Sequence, residues 1–333
     1  METLLLVLLI VTIILVYLYF RSSLLEAKNH DFRLKNQESH DRIDARFHHK
    51  FMDAGDVRWH YVDEGNPKGE TILLVHGLPE NWYSWDKIIP LINKRYRVIA
   101  VDMKGYGRSI AADDNYDWHH VSDQMLSLMD ELNIAKFHLV GHDWGAIITS
   151  VMTADHPERM LSFTRMEADL FPPNEKTSTY KKKPQWLLFE NLVIGRFMMS
   201  NAHWFVRLCY SKKRMKTKLS ERDMNYFIYE FRRPGNATAA ARYFLMKNRD
   251  MNALFDQIAY NEFPFPVVQL QADSDPSQPK SLFEKIPNVC KNVRLVWIKD
   301  AGHFSTQDQP EQIAEAINEL VNSVTTHKSE NLP

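Results

Sequence analysis

The chain predicts an α/β fold, a mostly parallel, doubly wound sheet with an inserted helical lid. Short, nearly unbroken apolar runs recur along it (TILLVHG, YRVIAVD, FHLVGHD, PFPVVQLQAD and VRLVWIKDAGH), rich in Val, Ile and Leu like strands buried on both faces. Segments with apolar residues at helical spacing, such as SDQMLSLMDELN and PEQIAEAINELVNSV, alternate with those runs, and strand-helix alternation winds a parallel sheet. Over residues 171–258 the alternation stops. That stretch is helical in pattern, aromatic, methionine-rich and broken at Pro184 and Pro234-Gly235, which makes it the lid.

The first element is an apolar run from Leu4 to Phe20, free of charge and interrupted only by Thr12. A helix of about 17 to 25 such residues spans a bilayer. Glu2 precedes the run, Arg21 ends it and no small-residue cleavage site follows, so residues 1–21 read as an uncleaved transmembrane anchor and not a signal peptide. Arg21, Lys28, Arg33 and Lys35 follow the run and no basic residue precedes it, which puts the rest of the chain on the cytoplasmic side, with the endoplasmic reticulum as the expected membrane. Residues 22–45 are polar without sustained apolar periodicity and read as a stalk. The core then occupies residues 46–170, resumes after the lid at 259–325 and ends in a tail at 326–333.

With 44% hydrophobic and 25% charged residues the class is ordinary globular, and a net charge of -1 without an aromatic-basic stripe excludes nucleic acid as a partner. Cys209 and Cys290 are too few for a disulfide framework or a zinc site and fit a reducing compartment. No metal or organic cofactor is expected.

The octapeptide LVGHDWGA, residues 139–146, has the pattern of a nucleophile elbow, the sharp strand-to-helix turn that lifts its middle side chain into solvent. That middle residue is Asp143. Other strand ends contribute His76-Gly77-Leu78-Pro79, Asp102 with Gly105 and Gly107, and His303 in AGHF. Each is weak alone, but ligands and reactants of such sheets gather at the carboxyl ends of the strands, where all of these lie.

On HGLPENWYSW, VIAVDMKGYGRS and GHDWGA, the chain from about Phe47 to Val324 resembles the α/β-hydrolase superfamily and, within it, the epoxide hydrolase and haloalkane dehalogenase branch. With its N-terminal anchor it is similar to membrane-anchored epoxide hydrolases. The resemblance implies that the Asp143 carboxylate attacks a saturated carbon, a task for which it is already ionised at neutral pH. The product is an alkyl ester of Asp143. Water activated by His303 would hydrolyse that ester, with the backbone N–H groups of Leu78 and Trp144 as the oxyanion hole. For the acid that orients His303, Asp275 matches epoxide hydrolases and Glu167 matches many dehalogenases; Asp275 is favoured because the other motifs lean toward epoxides. Tyr243 matches the lid tyrosine that protonates the opening epoxide. Where a second lid tyrosine is usual, KPQWLLFEN offers Gln185 and Trp186 as possible donors.

The expected activity is therefore opening of small lipophilic epoxides to vicinal diols. Carbon-halogen hydrolysis is the alternative, with Leu78 standing where dehalogenases carry a halide-binding asparagine. A low-turnover, lid-gated receptor or scaffold is the third reading. Lys181-Lys182-Lys183 and Lys212-Lys213-Arg214 give the lid a basic surface suited to anionic lipid headgroups. The sequon Asn236-Ala237-Thr238 would matter only in a lumenal domain.

Overall fold

The computed structural model describes residues 2–168, 188–246, 263–278, 280–290 and 292–330. Its first helix, α1 (Glu2–Asp44), carries both the apolar run and the polar segment behind it. No glycine or proline occurs before Gly55, so nothing in the backbone stops the helix where the hydropathy changes. The polar stretch read as a stalk is therefore helical to Asp44, and it is packed against the lid. Asn29 Nδ2 donates to Ser200 O at 3.0 Å, Arg196 pairs with Glu26 at 3.1 Å, and His40 stacks on Tyr229 at 3.9 Å between centroids. The apolar half is exposed from Leu6 to Ile14 and again at Val16, Tyr17, Tyr19 and Phe20, and it fits a membrane anchor.

A hairpin follows, β1 (His49–Ala54) and β2 (Val57–Gly65), turning at Gly55 where φ is +56°. Its half-polar alternation, HKFMDA and VRWHYVDEG, is that of an antiparallel edge with one wet face and contains no continuous apolar run. The expected runs form β3 (Thr71–Val75), β4 (Arg97–Val101) and β6 (Phe137–His142), with a short β5 (Ile110–Ala111) beside β2. They continue after β7 (Met160–Met166) as β8 (Val267–Ala272) and β9 (Val293–Ile298). The strand order is β1-β2-β4-β3-β6-β7-β8-β9, antiparallel as far as β4 and parallel beyond it.

Helices α2 (Trp118–Glu131), α3 (Trp144–Asp155) and, at the end of the chain, α8 (Pro310–Glu330) cover the sheet, whose central strands are buried along their whole length. The described part of the lid consists of α4 (Leu192–Ser200), α5 (Ala202–Cys209), α6 (Glu221–Phe231) and α7 (Asn236–Met246). Asn236, the sequon residue, opens α7 fully buried, with its Nδ2 donating to Gly107 O at 3.3 Å.

Parallel register sets the site. Val75 lies opposite Val101 and Gly141, His142 opposite Met166, and Ala272 opposite Ile298. His76, Asp102, Asp143, Glu167, Asp275 and His303 therefore all leave the sheet at one edge. Above that edge, a buried ionic cluster ties α1 to the core and the lid. Arg108 bonds Asp44 of α1 and Glu230 of α6, Arg233 bonds Glu230 at 2.5 Å, and the Tyr226 hydroxyl donates to Asp44. Glu230 is 1% exposed. Removing one partner of a buried ion pair leaves the other charge uncompensated. Glu230→Gln is expected to lower stability by about 3 to 5 kcal/mol, read from thermal or denaturant unfolding of the full chain.

Candidate active site

Asp143 sits between β6 and α3 with φ +50° and ψ -118°, a conformation that costs an L residue on the order of 1 to 3 kcal/mol. Its neighbours make the turn possible by being absent as side chains. A Cβ on Gly141 would lie 2.2 Å from Thr149 Oγ1, and one on Gly145 would lie 2.4 Å from the carbonyl oxygens of Val75 and His76. The turn is pinned by Asp143 N–H donating to Met166 O at 3.1 Å. Leu78 N–H donates to Asp143 Oδ1 at 3.0 Å, and Trp144 opens α3, where first-turn N–H groups have no helical acceptor. Of the two N–H groups expected to form an oxyanion hole, that of Leu78 thus meets the carboxylate, and the other belongs to the residue that follows Asp143.

His303 reaches Asp143 Oδ2 through Nε2 at 3.1 Å and Asp275 Oδ2 through Nδ1 at 2.8 Å. Asp275 is buried and its other oxygen accepts the Ser277 N–H at 2.7 Å, so its aim is fixed. Glu167 takes a different partner. Its Oε1 accepts Ala272 N–H at 3.1 Å and its Oε2 lies 3.4 Å from His142 Nε2. Of the two carboxylates the sequence left open, Asp275 is the one that touches His303.

The profile of the alpha/beta hydrolase fold family matches residues 70–310. The chain belongs to the α/β hydrolase fold family. Human epoxide hydrolase 4 is 27% identical over 84% of this hydrolase and 79% of its own length, and epoxide hydrolase 2 of Caenorhabditis elegans is 26% identical over 83% and 80%. Among solved structures, Cfl2 of Burkholderia cenocepacia shares 25% identity with a TM-score of 0.71, covering 82% of this chain and 95% of its own. A loop variant of the haloalkane dehalogenase DbeA from Bradyrhizobium elkanii, 20% identical, superposes with a TM-score of 0.74 over 86% and 100%, which speaks for the fold.

The hydrolase also assembles groups that the motif reading did not single out. His142, just before Asp143, is buried with Nδ1 on Glu80 Oε2 at 2.7 Å and Nε2 on His303 O at 2.9 Å. Burial opposes its charge, but Glu80 beside it raises the imidazole to about 10. Glu80 also accepts the Gly77 N–H at 2.7 Å, so this ion pair braces the loop that carries Leu78. Both residues lie inside the quoted motifs, at HGLPE and GHDWG; a buried His beside a buried Glu was the available signal.

The tyrosines divide by what their hydroxyls do. Tyr243 is buried on α7 and donates to Lys104 O at 3.2 Å, with its ring 6.3 Å from that of Trp144. Tyr106, in the KGYGRS turn after β4, and Tyr210, just past α5, are also buried, and neither hydroxyl has a hydrogen-bond partner among the described residues. Tyr106 packs 5.6 Å from the ring of His76 and 5.5 Å from that of Tyr243, while Tyr210 stacks 4.2 Å from Phe304, next to His303. Burial raises both hydroxyl pKa values; the Asp143 charge adds to this for Tyr106, and Glu80 ahead of Asp143 for Tyr210. Gln185 and Trp186 lie outside the described residues.

Electrostatics separate the three carboxylates. Burial disfavours the Asp143 charge, but the His303 hydrogen bond overrides it and holds the carboxyl far below its usual range. Asp275 is lowered first by the charge of His303 and then by their hydrogen bond, again against burial. Glu167, raised by burial and by the Asp275 charge, is pushed up to about 8 even though the His142 ring lies 3.4 Å away. For His303 burial is outweighed by Asp275, which raises the imidazole above its ordinary value. The carboxylate that stabilises the imidazolium should then be identifiable by titration. Asp275→Asn is expected to lower the His303 pKa, and Glu167→Gln to leave it near the parent's, in side-chain NMR over pH 5 to 9, roughly the window of a perturbed histidine.

Proposed function

We propose that this α/β hydrolase opens lipophilic epoxides to vicinal diols through an ester on Asp143. The observation that carries the reading is the chain of contacts Asp143–His303–Asp275, with the Leu78 N–H on the nucleophile. The relatives named as epoxide hydrolases, covered over most of their length, support the substrate class.

In the first step an Asp143 oxygen bonds to a ring carbon, the carbon–oxygen bond of the epoxide breaks, and the oxygen takes a proton. Tyr106 and Tyr210 are the donors this geometry favours, because their O–H groups are buried, without a hydrogen-bond partner among the described residues and near the charge of Asp143, while Tyr243 must first release Lys104 O. In the second step His303 Nε2 takes a proton from water and the hydroxide attacks the ester carbonyl, whose oxyanion the Leu78 and Trp144 N–H groups receive. The acyl C–O bond to the diol then breaks, the leaving oxygen takes the proton from His303, and the proton of the regenerated Asp143 acid restores the tyrosine hydroxyl. The two steps are coupled electrostatically. The Asp143 carboxylate helps to hold the His303 proton, and esterification removes that charge, so the imidazole turns toward the basic form when a base is needed.

The test is intact-mass analysis of full-length His303→Gln protein in detergent micelles, incubated with separate pools of epoxides and haloalkanes. A gain equal to a whole epoxide, abolished by Asp143→Asn, is expected. In that background Tyr106→Phe and Tyr210→Phe should each slow adduct formation by about 10²-fold, the size of general acid catalysis. A gain equal to a haloalkane less its hydrogen halide would replace the reading with dehalogenation, and no gain from either pool would favour a low-turnover receptor.

We also infer that the catalytic domain faces the cytoplasm with its lid near the bilayer. The Arg196 guanidinium of α4 lies 5.4 Å from the Tyr19 ring, at the end of the apolar run, and Lys212 and Lys213 are exposed on the lid. Lys181-Lys182-Lys183 fall outside the described residues. In intact microsomes a protease should remove the domain from the outside, and protection of the domain would reverse the orientation.

A further inference from the structure

Away from Asp143, α1, the β1–β2 hairpin, the turn after β4 and lid helix α6 enclose a cleft of about 460 Å³. Four guanidinium groups line it, from Arg33, Arg58, Arg108 and Arg233, against one lining carboxylate, Asp41. The carboxylates behind them are already committed. Glu230 accepts from Arg108 at 3.1 Å and from Arg233 at 2.5 and 3.1 Å, and Asp44 takes Arg108 and Tyr226. Counting Asp44 and Glu230 with the lining groups still leaves the cleft positive.

Two of the donors there are unused. Arg33 Nε and Arg108 Nε are both buried without a hydrogen-bond partner among the described residues. Arg33 is held 5.0 Å over the Tyr229 ring, and neither Arg33 nor Arg58 has a carboxylate in ion-pair reach among the described residues. Burial and then the charge of Arg233 lower the Arg33 pKa, so the guanidinium groups are held together against their repulsion. Buried cationic N–H groups left unpaired cost more than a lost hydrogen bond, and an oxyanion meets that need because it accepts from several guanidinium forks at once.

We propose that this cleft binds a soluble phosphate-class oxyanion that bridges α1, the hairpin and lid helix α6. The distance along α1 decides between a soluble ligand and a lipid headgroup. Arg33 lies twelve residues past Arg21, which at 1.5 Å per residue is about 18 Å beyond the end of the apolar run. An upright α1 keeps the cleft clear of the headgroups.

The test titrates inorganic phosphate, at constant ionic strength, into the full-length protein in phosphatidylcholine nanodiscs and follows thermal unfolding. A saturable rise in Tm is expected, since a ligand of the folded state stabilises it by mass action. Arg33→Gln and Arg58→Gln, which break no ion pair among the described residues, should each weaken the apparent affinity about tenfold, the loss of one charge-assisted hydrogen bond. No saturable rise, or an equal rise in both variants, overturns the proposal. A rise produced by phosphatidic acid in the nanodisc and not by free phosphate overturns the soluble source.

Discussion

A carboxylate can stand at Asp143 only because the backbone is forced through a turn that an L residue resists. The strain is held by what surrounds it: Gly141 and Gly145 leave room for Thr149 and the β3 carbonyls, and Met166 O takes the Asp143 N–H. Everything else at the carboxyl edge is arranged around that projected side chain. The parallel register of β3, β4 and β6 brings the Leu78 loop and the Asp102 turn beside it. The register of β8 and β9 delivers Asp275 and His303 together.

Behind this front lies a second buried ion pair, His142 with Glu80. Its work is mechanical and electrostatic. Glu80 grips the Gly77 N–H and His142 grips the carbonyl of His303, so the loop bearing an N–H donor and the loop bearing the imidazole are tied through one imidazolium. Asp102 plays a like part on the other side, accepting the Trp82 N–H at 2.8 Å, the Arg108 N–H at 2.8 Å and the His60 ring at 2.6 Å. Buried polar networks of this kind hold one geometry because each broken bond strands a charge.

The anchor helix joins this system without a hinge. Its polar half lies along α4 and α6 and ends in the cluster of Asp44, Arg108, Tyr226 and Glu230, so the N-terminal helix, the lid and the turn after β4 share charges. His60 continues the connection through His49 Nδ1 at 2.8 Å, and His49 Nε2 faces Asp44 O at 3.1 Å. The lid is accordingly held from two sides, by the core and by α1.

Much of this was legible in the sequence because it is local. An elbow needs its glycines within two residues of the nucleophile, a buried parallel strand needs an apolar run, and an anchor needs length without charge; LVGHDWGA, TILLV and Leu4–Phe20 each contain their own evidence. The parallel sheet, the edge where the motifs gather and the identity of the residue in the elbow follow from such stretches alone. The β1–β2 hairpin was hidden because its alternation is half polar, and the course of residues 22–44 because amphipathic periodicity is weak where one helix packs against several elements in turn. Only the tertiary structure decided which of Asp275 and Glu167 reaches His303, where the Tyr243 hydroxyl points, and that the Tyr106 and Tyr210 hydroxyls have no hydrogen-bond partner among the described residues. Those outcomes depend on hydrogen bonds between residues far apart in the chain, set to within an ångström by strand register and side-chain rotamer, and neither is written in spacing or composition.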